Sequence, residues 1–454
     1  MSRKVLFLAV GVCVFLAAGS RIALSGAPDS TKTDAGQITF ELKYRGLTGA
    51  KGEPRIQSFY GFGSSDEAPS AFTKSLNLPK GRTIYPEVRF QNLSGNAEWL
   101  ALELDEKQPV ALYMDMDGDG KLSRNERILP SKEKSPLGGD STFFVTPDFT
   151  AKTKDGNGFP CRRFAVIGDG GTPGTGGNRI RYSPMVGTGC IWEGAGSIDG
   201  KSFNLALFDG NLDGQFTKYG QDTYALAPEA EYLKTLEKGE YLPRERLSSL
   251  VPIGQQFYSL RIETTADGVR PVRAVLRKSE IQLSKITFEF TGTEEMKAEL
   301  GRVYLCGRGN DVFLNLNGKV GKEFEIPTGS YEVELGMLRY DSVNPPDGWH
   351  GWQVDFQHGS EITVAAATPC IVRLGRPKLI PTAVKEQDRY RPEEKPKTVF
   401  KKGDEIYCSP EIKGTAGEKY GRFCQPSGAK VLEPQVRIQD ANGKEVVSAS
   451  MQYG

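Results

Sequence analysis

A mainly β protein built of tandem β-sandwich modules, with few short helices and an immunoglobulin-like module at its C-terminal end, is what the chain predicts. Three observations carry that expectation. Fifty-three glycines and 27 prolines cut 454 residues into short segments, too short for long helices and rich in turn chemistry. Within the segments apolar and polar residues alternate with period two. Helical stripes are confined to two stretches.

The alternation is clearest at Ile38-Thr-Phe40-Glu-Leu42-Lys-Tyr44, Phe203-Asn-Leu205-Ala-Leu207, Tyr258-Ser-Leu260-Arg-Ile262, Ile286-Thr-Phe288-Glu-Phe290 and Tyr331-Glu-Val333-Glu-Leu335. Each places one row of side chains on a buried sheet face. Ala227 to Lys238, with Pro228 early and Gly239 just after, has the punctuation of a helix, and Asp66 to Leu76 is a weaker candidate. Both would decorate the surface of the sheets.

Ahead of these segments lie Arg3 and Lys4, an apolar run from Val5 to Ala18, and small residues at Ala17-Ala18-Gly19-Ser20 and Ala23-Leu24-Ser25-Gly26-Ala27. That order is a secretory signal peptide, assigned to 1–27. The run is 14 residues long, whereas a membrane span needs roughly 20. Val12 stands before Cys13 where lipoprotein processing requires a small residue. The expected product is therefore secreted, periplasmic or held at the cell surface, with no membrane span after leader removal.

The remaining length exceeds one hydrophobic core and suggests roughly three domains; pattern divides it into four. These are a β module at 37–135, a second at 141–281, a β-sandwich at 285–378 and an Ig-like β module at 398–454, with a polar, proline-rich linker at 379–397. In the last module Asn442-Gly443 between two β runs signals a hairpin. Six cysteines remain after the leader, and an exported chain favours their oxidation. Pairing within modules gives 161–190, 306–370 and 408–424, with reduced buried thiols as the alternative.

Fifty-eight basic residues against 57 acidic ones leave no electrostatic footprint for nucleic acid. His350 and His358 are the only histidines, so a triad or a histidine-rich zinc centre has little to work with. They lie near Tyr340, Trp349, Trp352 and Phe356, which form either a sugar-binding aromatic platform or ordinary core. The glycine-rich 168–177 run lacks the Lys-Ser/Thr and helix of a phosphate cradle and reads as a hairpin loop. Asn92-Leu-Ser94 spells a glycosylation sequon.

One stretch prescribes a chemistry. Asp115, Asp117 and Asp119, the carbonyl of Lys121, Ser123 and Glu126 supply oxygens at loop positions 1, 3, 5, 7, 9 and 12, and Gly120 at position 6 permits the sharp turn. About seven oxygens including a bidentate glutamate favour Ca2+ over Mg2+. The approach, Gln108 to Met114, reads as a strand rather than the helix of a sensor, so the loop is expected to act as a structural clamp. A second stretch repeats the spacing incompletely: Asp209, Asn211, Asp213 and Gln215 fill positions 1, 3, 5 and 7, but Gly220 falls at position 12, with Asp222 two residues later as a substitute. It is either a degenerate calcium loop or a plain turn.

The Asp115–Glu126 stretch resembles the EF-hand calcium loop, as used also in dockerin-type and other strand-flanked Asp-x-Asp-x-Asp-Gly sites. Together with the later Leu207-Phe-Asp-Gly-Asn-Leu-Asp-Gly214 and the terminal β module, the arrangement is similar to that of uncharacterised secreted bacterial proteins. The resemblance implies calcium and names no activity. The expected function is an exported calcium-binding structural or adhesive protein, with a glycan or cell-surface partner. A carbohydrate-binding accessory protein and a carboxylate-dependent hydrolase are the alternatives.

Overall fold

In the computed structural model, the residues described are 37–56, 59–61, 64–65, 83–86, 100–106, 108–119, 121–136, 141–152, 156–168, 183–291, 296–316, 323–342, 352–375, 378–385, 406–424, 435–439 and 442–450. The leader, the 66–76 helix candidate, the sequon, Trp349, His350 and nearly all of the glycine-rich run lie outside them. The chain is mainly β and folds into several separate sheets, almost wholly antiparallel, with a single α-helix among the described residues.

Facing sheets share hydrophobic cores. In one pair, a five-stranded sheet runs Ser64–Ser65, Thr83–Pro86, Leu100–Asp105, Gln108–Met114, Arg127–Ile128. Its partner is a four-stranded sheet ordered Phe59–Gly61, Ser183–Thr188, Arg163–Gly168, Thr142–Val145. Leu100, Leu102, Leu112, Met114 and Ile128 from the first meet Phe144, Ala165, Ile167 and Val186 from the second. A second pair sets Gln37–Glu41, Pro271–Lys278, Gln256–Thr264 and Leu250–Ile253 against a sheet containing Cys190–Ile198, Lys201–Phe208 and Thr223–Pro228, with Phe40, Leu260 and Leu276 packed on Trp192, Leu205 and Leu207. Burying such rows removes apolar area from water at about 25 cal/mol per Å², which is what makes period-two strands pair face to face.

The pairings cross the expected boundary between 135 and 141. Gln37–Glu41 pairs with Pro271–Lys278 and Lys43–Gly46 with Cys190–Ile198, antiparallel in both cases. The run from Ile38 to Tyr44 is thus two strands, and at Leu42, whose N–H donates to the Val272 carbonyl at 2.9 Å, the chain passes from one sheet to the facing one. Period two records which face a residue occupies, not which distant strand lies beside it.

Farther along, a seven-stranded sheet and a three-stranded sheet enclose the core of Ile286, Leu305, Tyr331, Leu338, Val354, Phe356 and Leu374. Ile286–Thr291 runs parallel to Cys370–Gly375. Phe356, 1% exposed, is a core residue, so it is not part of an aromatic platform; His358 is on the Trp352–Val364 strand. Lys378–Lys385, in the region read as linker, is a strand paired with Ile406–Lys413, and Lys419–Cys424 pairs with Trp352–Val364. The sheet therefore runs on past residue 378 into the C-terminal region. Gln435–Gln439 and Glu445–Ser450 form the expected hairpin, and among the described residues this hairpin is a two-stranded sheet by itself, without an immunoglobulin-like arrangement.

The helix, Glu229–Lys238, starts directly after Pro228 and ends at Gly239 in the left-handed conformation, φ +66°. The N–H groups of Gly239 and Glu240 reach the carbonyls of Leu236 and Thr235 at 2.9 and 3.0 Å, the Schellman closure that glycine allows. Tyr232 and Leu236 are its buried residues.

Candidate metal centre and a second loop of the same plan

The strand Gln108–Met114 buries Ala111 to Met114 and thereby delivers Asp115 to the sandwich edge with 1% of its surface exposed. From there the chain curls over its own carboxylates. Gly118 N–H donates to Asp115 Oδ1 at 2.8 Å, Asp119 N–H to Asp117 Oδ1 at 3.1 Å, and Lys121 N–H to Asp119 Oδ1 at 2.8 Å. These local bonds are what aspartate offers a turn. Gly118 adopts φ +73°, which a glycine reaches without steric cost.

The turn closes through Glu126, at the end of a short 3-10 segment, Arg124–Glu126. Met116 N–H donates to its Oε1 at 2.7 Å and Ser123 N–H to its Oε2 at 2.8 Å. Glu126 is 4% exposed. Asp115, Asp117 and Glu126 each bring a carboxylate oxygen to within 4.8 Å of the others. Two buried acids and one exposed acid converging this closely, with hydrogen-bonded backbone holding them there, form a hard oxygen set of the kind a divalent cation needs. Asp119, Lys121 and Ser123 sit in the same turn, their backbone N–H or side chain engaged as above; Gly120 is outside the described residues.

The second stretch has the same hydrogen-bond plan. Asp213 N–H donates to Asn211 Oδ1 at 3.2 Å and Gln215 N–H to Asp213 Oδ1 at 2.8 Å, matching the Asp117 and Asp119 turns two and four residues into the first loop. Gly210 N–H and Lys218 N–H donate to the two oxygens of Asp222 at 3.0 and 2.7 Å. Asp222 therefore closes this loop as Glu126 closes the first, from two residues farther on. Both loops enter from one strand and leave into an antiparallel neighbour of it, Lys201–Phe208 with Thr223–Pro228 here and Gln108–Met114 with Arg127–Ile128 there.

Position 4 explains how the loops are seated. Where the first has Gly118, the second has Leu212 at φ +61°, a strained conformation for a branched side chain, about 1–3 kcal/mol. Leu212 is 2% exposed and belongs to the same core as Met114 and Leu112, against which Met116 of the first loop also packs. Its burial offsets the strain. Gly214, at φ +78°, lies under Phe159, whose ring a Cβ would meet at 1.9 Å, so only glycine fits.

The two differ in electrostatics. Asp209, 2% exposed, accepts N–H groups from Asp213 at 3.2 Å and Gly214 at 2.9 Å, and the guanidinium of the buried Arg163 lies 3.8 Å away. Thr188 bridges the pair, accepting from Arg163 Nη1 at 3.2 Å and donating to Asp209 Oδ2 at 3.3 Å. Asp213, fully buried, takes the ammonium of Lys218 and the amide of Asn211 on one oxygen. Burial raises the Asp209 carboxyl to about 6, with Arg163 opposing, and burial reinforced by the Asp209 charge raises Asp222 to about 8. Among the described residues, the convergent acidic set occurs at Asp115, Asp117 and Glu126; Asp209, Asp213 and Asp222 do not form one.

The cysteines differ from the expected bridges. Cys161, Cys190, Cys306 and Cys370 are free thiols; Cys306 faces Phe313 and Glu332 across its strand pairs, while Cys370 starts a strand beside Ile286, so the 306–370 pairing is not made. The side chains of Cys408 and Cys424 lie outside the described residues. Cys161 and Cys190 are neighbours: the ladder through Arg163–Thr188 continues with Gly189 N–H to the Arg162 carbonyl at 2.7 Å, and one step on lie the two buried cysteines, the Cys161 thiol donating to the Arg162 carbonyl at 3.9 Å. Burial pushes both thiols up; at Cys161 the neighbouring Cys190 thiol and the Arg163 charge outweigh it and bring that thiol down.

Arg163, Lys218 and position 4 are what sequence reading misses. Arg163 had a weak signal, the second of the two arginines Arg162-Arg163 at the head of the apolar run Phe164-Ala-Val-Ile167; Lys218 had none. No protein-family model, curated protein or solved structure matches the chain.

Proposed function

We propose that this is an exported calcium-binding β protein with a structural or adhesive task, in which Ca2+ at Asp115–Glu126 clamps the edge of a β-sandwich. The observation that supports it is the convergence of Asp115, Asp117 and Glu126 oxygens within 4.8 Å on a loop whose spacing suits calcium. Asp115, Asp117, Asp119, the Lys121 carbonyl, Ser123 and Glu126 would hold the ion. What the ion supplies is charge compensation for acids that backbone N–H groups already orient.

Both loops rest on one core through Met116 and Leu212, so an ion there stiffens a load-sharing edge rather than opening a groove. The test is calcium titration of the whole protein by calorimetry with Asp117→Asn as control: saturable binding that the variant weakens roughly tenfold supports the reading, and absence of binding at 10 mM overturns it. Export adds a second expectation: the adjacent Cys161 and Cys190 thiols oxidise to a bridge.

A further inference from the structure

We propose that the Asp209–Asp222 loop is a tethered-cation site, in which the Lys218 ammonium takes the place of a metal ion and makes this loop independent of calcium. The proposal stands on the contacts of this loop and not on calcium at Asp115.

Four observations converge. The backbone plan is that of the first loop, down to a carboxylate that collects an N–H from position 2 and another from the far side. The acid at position 5, Asp213, is fully buried, whereas its counterpart Asp119 is exposed. A buried carboxylate demands a cation, and Lys218, from five residues on, brings its ammonium to Asp213 Oδ2. The acid at position 1, Asp209, has a guanidinium of the chain, that of the buried Arg163, 3.8 Å away. Oxygens that would turn to a metal are thus taken by nitrogen donors of the chain.

The fate of position 12 fits the same account. Gly220 stands there at φ +76°, its N–H donating to the Leu247 carbonyl at 2.8 Å, and a Cβ would lie 2.3 Å from the ring of Phe313. Around that contact Phe313 N–H donates to Ser248 Oγ at 3.0 Å, Ser249 N–H to the Asp311 carbonyl at 2.7 Å, and Asn315 to Glu245 at 2.8 Å. A glutamate ligand at 220 is incompatible with this docking against the next sandwich. With its metal ligand displaced by a docking contact, the loop keeps its shape through Lys218.

The test uses full-length protein in which Asp115→Asn and Glu126→Gln silence the first loop. In that background calcium at 10 mM is expected to leave the melting temperature unchanged. Adding Lys218→Met should lower it by about 5–10 °C and make it responsive to calcium, while Lys218→Arg should keep both the stability and the indifference. Calcium binding by the silenced protein that Asp213→Asn abolishes would overturn the proposal, as would a Lys218→Met variant that neither melts earlier nor responds. If Lys218→Met does not fold, recovery of folding on adding Asp213→Asn supports the charge pairing and failure to recover refutes it. A wild-type protein that binds no calcium would remove the function proposed for the first loop and leave this comparison intact.

Discussion

Withdrawing calcium should lower the stability of the sandwich that carries Asp115, by an amount the geometry bounds. Asp115 and Glu126 are 1% and 4% exposed, with oxygens inside 4.8 Å of each other. At an effective dielectric of about 20, two unit charges at that separation repel by about 3 kcal/mol. Asp117, being exposed, adds less. Backbone N–H groups from Met116, Gly118 and Ser123 offset part of this, so the bare loop is held closed against a residual repulsion that a divalent ion removes. With a Kd in the range of extracellular modules, about 10⁻⁴–10⁻³ M, 10 mM calcium stands at about 10 to 100 times Kd and contributes about 1.4–2.7 kcal/mol. For a unit of 150–250 residues that is a rise of about 3–11 °C. Differential scanning calorimetry with 10 mM calcium and with excess chelator measures it. Glu126→Gln removes one charge and the bidentate ligand and should reduce the rise below 2 °C. Identical wild-type scans would refute the reasoning, and so would a Glu126→Gln protein that keeps the full rise.

Gly214→Ala should destabilise by about 3 kcal/mol or more, since the new methyl enters the Phe159 ring at a φ of +78°; urea melts that shift by less than 1 kcal/mol would show that Phe159 can move aside. Material exported into an oxidising compartment should yield a Cys161–Cys190 linked peptide on non-reducing digestion and no Cys306–Cys370 peptide. By loop-closure entropy the bridge contributes about 3–4 kcal/mol, visible as an earlier melt in reductant, and free thiols at both positions would refute it. Glu245, raised above the usual carboxylate range by burial and pulled back in part by the Asn315 hydrogen bond, gives a pH signature. The unfolded chain loses this proton at lower pH than the folded one, so stability from this group is present below the unfolded value and is lost as pH rises through the folded value. Glu245→Gln, which keeps an oxygen for Asn315, should flatten that decline in melts taken from pH 4 to 7, and an unchanged slope would exclude Glu245 as its source.

Much of the fold is legible locally because strands announce their buried face. Phe203 to Leu207, Tyr258 to Ile262 and Tyr331 to Leu335 are strands, and Pro228 with Gly239 brackets the helix, since proline and glycine act through their own backbone. Module boundaries are not legible in the same way. Nothing in Gln37–Glu41 states that its neighbour is Pro271–Lys278, because pairing is decided by which apolar rows complete a shared core.

The candidate site divides along the same line. By itself the sequence determined the acidic spacing from Asp115 to Glu126 and the turn chemistry of both loops, and it offered Asp222 as a candidate substitute at position 14, because those depend on residues close together along the chain. Tertiary structure alone decided that Met116 and Leu212 share a core, that Phe313 claims the ground beside Gly220, and that Arg163 and Lys218 reach Asp209 and Asp213. Those are distances between groups far apart in sequence or set by a side chain's reach, and burial, which makes an unpaired carboxylate costly, exists only once the chain has folded.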